Sequence, residues 1–138
     1  VSALSATHTW TADSRHIYID EGSIAKGLGG FIQFNFARPE NVDGFIQENL
    51  TLWKPYFEKT MDSMGMVNWG VGRKLAPLGA NWAKVSTWDM FNTLEDLMKY
   101  RIGYKLPADL LKKSKMKDHN PDGFMMTPIF QMIANSAQ

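Results

Sequence analysis

The sequence predicts an α+β fold, and three observations predict it. Stretches of alternating side-chain character at 30–37, 66–75 and 81–90 have the period of two that a half-buried strand requires. Between the first two, an apolar stripe from Val42 to Met64 has the spacing of one helix face. The order strand, helix, strand, strand, helix then runs from about Gly30 to Tyr100. A chain of 138 residues is one domain by size and can bury a core without a disulfide or metal staple. Residues 1–29 are expected to form an N-terminal extension and residues 30–138 the α+β domain.

In the extension, Thr7 to Trp10 and His16 to Ile19 are short β-prone runs on either side of Ala12-Asp13-Ser14, the pattern of a hairpin. Gly27, Gly29 and Gly30 lead into the first core strand. A GLGG run before a strand is not a phosphate loop, which follows a strand and opens a helix. In GFIQFNFA, Ile32, Phe34 and Phe36 face one way, and Phe31, Gln33, Asn35 and Ala37 the other. Arg38-Pro39-Glu40-Asn41 stops this strand, and Asn41 is placed to cap the helix that follows. Glu40 and Asp43 suit its positive end.

Val42, Ile46, Leu50, Trp53, Phe57, Met61 and Met64 make the helical stripe, with Glu48, Lys54, Glu58 and Asp62 off it. Pro55 lacks a backbone donor and crowds the preceding turn, which predicts a kink or break near Trp53. Gly65 ends the helix. In the second strand, 66–75, Val67, Trp69, Val71 and Arg73 share a face. Asn68, Gly70 and Gly72 share the other and leave room for close approach. Ala76 to Ala80 reads as a turn. The third strand, 81–90, puts Trp82, Lys84, Ser86 and Trp88 on one face and Ala83, Val85, Thr87 and Asp89 on the other. Thr93 caps a second helix with Glu95 and Asp96 in its first turn. After Leu106-Pro107, residues 108–115 form a short amphipathic helix and 116–123 a polar loop. Residues 124–133 read as a last strand, an edge one because of Pro128; a short helix starting at Thr127-Pro128 is the competing reading.

Composition narrows the function classes. Fifteen basic and fourteen acidic residues leave a net charge of +1, too little for a strong nucleic-acid or anionic-membrane footprint. No apolar run reaches the roughly 18 residues of a transmembrane span. The absence of Cys removes disulfides, thiolate nucleophiles and Cys-ligated zinc. A first residue that is not methionine, together with the lack of Cys, gives an expectation of export. The aromatic content of 12% points to a sheet carrying large side chains.

Strand, helix, strand, strand, helix, strand is the order of the ferredoxin-like split βαβ arrangement: a four-stranded antiparallel sheet with its helices on one face. The other sheet face also carries bulky residues and needs a cover. The stretch from Gly30 to Arg101 resembles the dimeric α+β barrel superfamily, through FIQFNFA, the LWKPYF helix core, NWGVGRKL, and KVSTWDMF leading into TLEDLMKY. The resemblance implies a homodimer whose two sheets pack face to face. It extends distantly to antibiotic-biosynthesis and haem-degrading monooxygenases. The haem-degrading members carry an Asn on the first strand, a Trp ending the third and a His on the following helix. Asn35 and Trp88 stand at similar places, whereas TLEDLMKYRIGYK contains no His. The resemblance therefore implies Asn35 and Trp88, with Arg73, as candidate catalytic residues, and no haem ligand at the expected place; no cofactor is expected.

A ligand pocket between helices and sheet is expected from Trp53, Phe57, Trp69, Trp82 and Trp88, with Met61, Met125 and Met126 beside them and Asn68, Lys84, Arg73 and Asn35 as its polar groups. The occupant would be a small apolar molecule. The histidines His8, His16 and His119 have no ligand spacing, and Asp118, Asn120 and Asp122 lack the distal Glu of a calcium loop, so no metal site is expected. Lys112, Lys113, Lys115 and Lys117 read as the solvated end of a helix. There is no Gly-x-Ser-x-Gly elbow and no acid pair at a telling spacing, and Ser86 and Asp89 have no His near them in sequence. The expected function is a small-ligand-binding or structural homodimer. A cofactor-free or haem-linked monooxygenase-like enzyme is the alternative, and an accessory subunit of a larger assembly a further one.

Overall fold

The computed structural model of the chain describes residues 16–76 and 81–133. Strand β1 (Ile17–Ala25) comes first, followed by β2 (Phe31–Ala37). A continuous helical stretch holds α1 (Val42–Glu48), a π-helical turn (Asn49–Trp53), α2 (Lys54–Thr60) and a 3-10 turn (Met61–Met64). Strands β3 (Met66–Ala76) and β4 (Val85–Phe91) lead to α3 (Leu94–Gly103). The short helices α4 (Ala108–Lys113) and α5 (Met116–His119) precede β5 (Phe124–Met126) and β6 (Ile129–Gln131).

The chain is α+β. Its strands form one antiparallel sheet in the order β1-β3-β4-β2-β5, with β6 also paired to β2. Among the described residues six strands stand where four were expected, for two reasons. Ile17–Ala25, from the N-terminal extension, pairs along β3 and lengthens the sheet. The last strand is divided at Thr127-Pro128, because a proline has no N–H to give the ladder. The carbonyl of Pro128 still accepts from the backbone of Phe34 at 3.0 Å, so the broken strand stays on β2. The competing helix at 127–133 does not form. Thr7 to Trp10, the other arm of the expected hairpin, and the turn at 77–80 lie outside the described residues. The strand expected over 81–90 begins at Val85 and runs to Phe91.

Helix boundaries follow local chemistry. The Asn41 side chain accepts from Gly44 N–H at 2.9 Å, and Thr93 from Asp96 N–H at 3.1 Å, each capping a helix start. Gly65 closes the long helical stretch at φ 75°, a left-handed conformation that costs a β-carbon but not glycine. Helices α1 and α2 lie over β3 and β1, and α3 over β2 and β4. The stripe predicted from spacing does the packing: Ile46, Trp53, Phe57 and Met61 are buried against Trp69, Val71, Val85 and Phe91. Burying each such side chain is worth about 1.5–3 kcal/mol. The opposite sheet face carries Ile32, Phe34 and Phe36 with Phe130, and the Phe34 and Phe130 rings meet edge to face at 5.6 Å.

Candidate functional site

Alternation aims Gln33 and Asn35 of β2, and Thr87 and Asp89 of β4, at the helices. The register sets Gln33 opposite Asp89 and Asn35 opposite Thr87. Four polar side chains thus stand together on the face that elsewhere builds the core, and all are buried. Burying such groups costs free energy unless they are hydrogen-bonded, and they bond to one another. Asn35 Nδ2 donates to Asp89 Oδ2 at 2.8 Å and to Thr87 Oγ1 at 3.0 Å. Gln33 Nε2 donates to Asn35 Oδ1 at 2.7 Å, and Arg101 Nη1 to Gln33 Oε1 at 2.9 Å. The polarity of this chain is forced from both ends. A carboxylate only accepts and a guanidinium only donates, so both amides must point their nitrogens toward Asp89 and their oxygens toward Arg101.

Tyr100, from α3, donates to Asp89 Oδ1 at 3.3 Å. Burial pushes the Asp89 carboxyl up to about 6, against the pull of its bonds from Asn35 and Tyr100. Burial, and then the neighbouring Asp89 charge, push the Tyr100 hydroxyl well above its ordinary value. Tyr100 therefore stays a donor throughout the pH range in which Asp89 titrates.

These groups form the floor of a cavity of about 1130 Å³ between sheet and helices. Its walls are aromatic: Trp53, Phe57, Trp69, Tyr100 and Tyr104. The Phe57 and Trp69 rings stack at 5.5 Å, and the hydroxyls of Tyr56 and Tyr104 are hydrogen-bonded. The segment carrying α4 and α5 supplies the outer wall, with exposed Leu111, Lys115, Lys117 and Asp118 at the rim. Buried Glu48 ties this segment to the helical stretch. Its Oε2 accepts from Trp53 Nε1 at 2.8 Å and Ser114 Oγ at 2.7 Å, and its Oε1 from Lys115 N–H at 2.6 Å.

Of the catalytic and pocket residues the sequence singles out, Asn35, Trp53, Phe57 and Trp69 line the cavity. Trp88 does not: one step of alternation from Thr87 and Asp89, it lies on the other sheet face, donating from Nε1 to Asn68 Oδ1 at 3.0 Å. Asn35 and Trp88 are therefore on opposite sides of the sheet, and Asn68 goes with Trp88. Trp82 packs against Phe36 and His16. Arg73, on β3 between β1 and β4, is paired with Glu21 at 2.9 Å and Asp43 at 2.8 Å and is not among the cavity-lining residues. Met61 is core, and Met125 and Met126 are exposed. Lys84 is exposed beyond the start of β4.

His119 stands 3.4 Å from Asn41 Nδ2, and His8 lies outside the described residues. Among the described residues no three His, Asp or Glu stand close enough to hold a metal ion. Among the described residues, none of those lining the cavity is a His.

Gln33, Thr87, Asp89, Tyr100 and Arg101 are the site residues that sequence reasoning missed. The signal for three of them, Gln33, Thr87 and Asp89, was in view. Two strands each place two polar residues on the face whose other positions are Phe31, Ala37, Val85 and Phe91. Seeing that these polar pairs meet requires the β2–β4 register. The chain matches no protein-family model, no curated protein and no solved structure, so its fold and site are read from its own residues.

Proposed function

We propose that this chain binds a small, largely apolar molecule in the cavity between sheet and helices, with the polar end of the ligand on Asp89. The observation that carries this reading is a buried carboxyl on the floor of an aromatic-walled cavity of about 1130 Å³. Ligand sites are mostly apolar hollows with a few placed polar groups, and a cavity of this size has room for a molecule of several rings. A solvatochromic apolar dye tests it. The dye binds with a micromolar Kd, and Leu106→Trp, which puts an indole into the cavity wall, weakens it by about tenfold. The reading fails if L106W leaves dye binding unchanged while Phe34→Ala, on the opposite face, abolishes it.

The sheet order β3-β4-β2-β5/β6, read without β1, is compatible with a ferredoxin-like arrangement, and we extend the proposal to a homodimer. Support comes from the outer sheet face, where Met126 is 45% and Phe130 52% exposed beside half-buried Ile32, Phe34 and Phe36. A second copy packed sheet to sheet would cover this row, and a self-complementary face is what a two-fold contact needs.

One observation favours a second reading, a cofactor-free, oxygenase-like enzyme. A carboxyl titrating near 6 inside a cavity is poised for proton transfer at neutral pH. In this reading Asp89 is the acid–base group and Asn35 orients it. A bell- or step-shaped rate profile with an inflection near pH 6, lost in Asp89→Asn, separates catalysis from binding alone.

A further inference from the structure

The hydrogen bonds around Asp89 say what kind of group the cavity accepts. Asn35 Nδ2 spends both hydrogens on Thr87 and Asp89, its Oδ1 is taken by Gln33, and Gln33 Oε1 is taken by Arg101. The amides on the floor thus have little left to offer an incoming acceptor. Asp89 has capacity to spare. A carboxylate holds about four hydrogen bonds. This one receives one to Oδ2 from Asn35 and one, long at 3.3 Å, to Oδ1 from Tyr100.

The charges point the same way. No basic side chain among the described residues makes a salt bridge to Asp89. Arg101, among the described residues the one cation hydrogen-bonded into the network, also lines the cavity, but gives its Nη1 to Gln33 and to the Thr127 carbonyl and not to Asp89. A buried anion without a counter-ion is costly, and a cation from outside relieves the cost. The walls suit a cation as well, since the faces of Trp53, Phe57, Trp69, Tyr100 and Tyr104 attract positive charge. Lys115 and Lys117 stand at the rim, where they are exposed to water and share the margin with Asp118. Their repulsion is screened there, whereas a pair formed on the cavity floor is not.

We propose that the ligand of this cavity is an organic amine, its protonated nitrogen on Asp89 and its apolar, ring-sized body among the aromatic walls. The inference rests on the cavity being a ligand site and adds the charge of the ligand.

Three probes of one shape test it by calorimetry at pH 7.5: 2-phenylethylamine, the neutral 2-phenylethanol and the anionic phenylacetate. The amine is expected to bind at least about tenfold more tightly than the alcohol, and phenylacetate to bind weakest. Asp89→Asn, confirmed folded by circular dichroism, is expected to bind amine and alcohol alike. Asp118→Asn, at the rim, is expected to keep the preference for the amine. Equal binding of amine and alcohol by the native chain overturns the charge assignment and leaves the cavity as a ligand site. So does tighter binding of phenylacetate, or a preference that survives in D89N. Failure of all three probes, together with failure of the apolar dye, overturns the cavity reading itself.

Discussion

Asp89 is held between two opposing demands. Burial removes the water that would solvate its charge, and the bonds from Asn35 and Tyr100 return only part of that solvation. Its pKa therefore rises from 3.8 to about 6 on folding. The folded state then binds the proton more tightly than the unfolded state. Asp89 costs nothing below about pH 3.8, and its cost grows as pH rises through about 6. The full penalty, for a shift of about two units, is about 3 kcal/mol. Asp89→Asn should flatten the loss of stability between pH 4 and pH 7 by roughly that amount, as read from urea unfolding across the range. An unchanged profile would show that another group carries the pH dependence. A second residue-scale test concerns Gly70. A β-carbon there would run into the indole of Trp88, which lies flat on the glycine, whereas one at Gly27 meets nothing within 4 Å. Gly70→Ala should cost about 1–3 kcal/mol by overpacking. Gly27→Ala should leave the melting temperature nearly unchanged, and equal effects from the two would refute the packing argument.

Among the elements, the helical stretch from Val42 to Met64 shows how far periodicity reaches. Its apolar stripe was legible because spacing alone decides which residues share a face. Pro55 was legible as a disturbance but not as the form the disturbance takes. The chain answers it with a π turn, in which Lys54 N–H bonds to Asn49 C=O five residues back. The wider turn comes just before the residue that has no N–H to give. It also sets buried Asn49 and Trp53 into the cavity wall, so a local backbone irregularity shapes the site. The segment carrying α4 and α5 is a mixed case. The amphipathic pattern at 108–115 was legible and α4 forms there, but neither helix has a fully buried residue, and 116–119 was expected to be loop. This segment is held through Glu48 and by the Asn41 N–H bond to His119 C=O at 3.1 Å. Glu48→Ala leaves several donors unpaired at a cost of roughly 1–3 kcal/mol each if they stay dry. Hydrogen exchange should then accelerate by about tenfold or more across 108–119, with β3 and β4 unaffected. A uniform acceleration over the whole chain would mean that Glu48 supports global stability and not this segment.

For the whole molecule, the distribution of apolar surface is the guide. One sheet face meets the helices and the other ends in aromatic side chains. Light scattering of the native chain at micromolar concentration should return twice the chain mass. Phe34→Glu, a charge in the middle of that row, should return the chain mass with an unchanged far-ultraviolet dichroism spectrum. A monodisperse native monomer would defeat the dimer, while leaving the cavity on the other face untouched. The strand contributed by Ile17–Ala25 belongs to this scale too. Its partner β3 begins about forty residues further on, and no local pattern announces such a pairing.

By itself the sequence determined the α+β class, the positions of three strands, the long helix with its caps and its disturbance at Pro55, and which side chains alternate on each strand. These are properties of neighbours in the chain, set by steric period and capping chemistry. Only the tertiary structure decided that Gln33, Asn35, Thr87 and Asp89 meet, that Arg101 and Tyr100 close on them from α3, and that Trp88 stands on the far side of the sheet. Register is a relation between residues some fifty positions apart, and it turns scattered polar residues into one buried network.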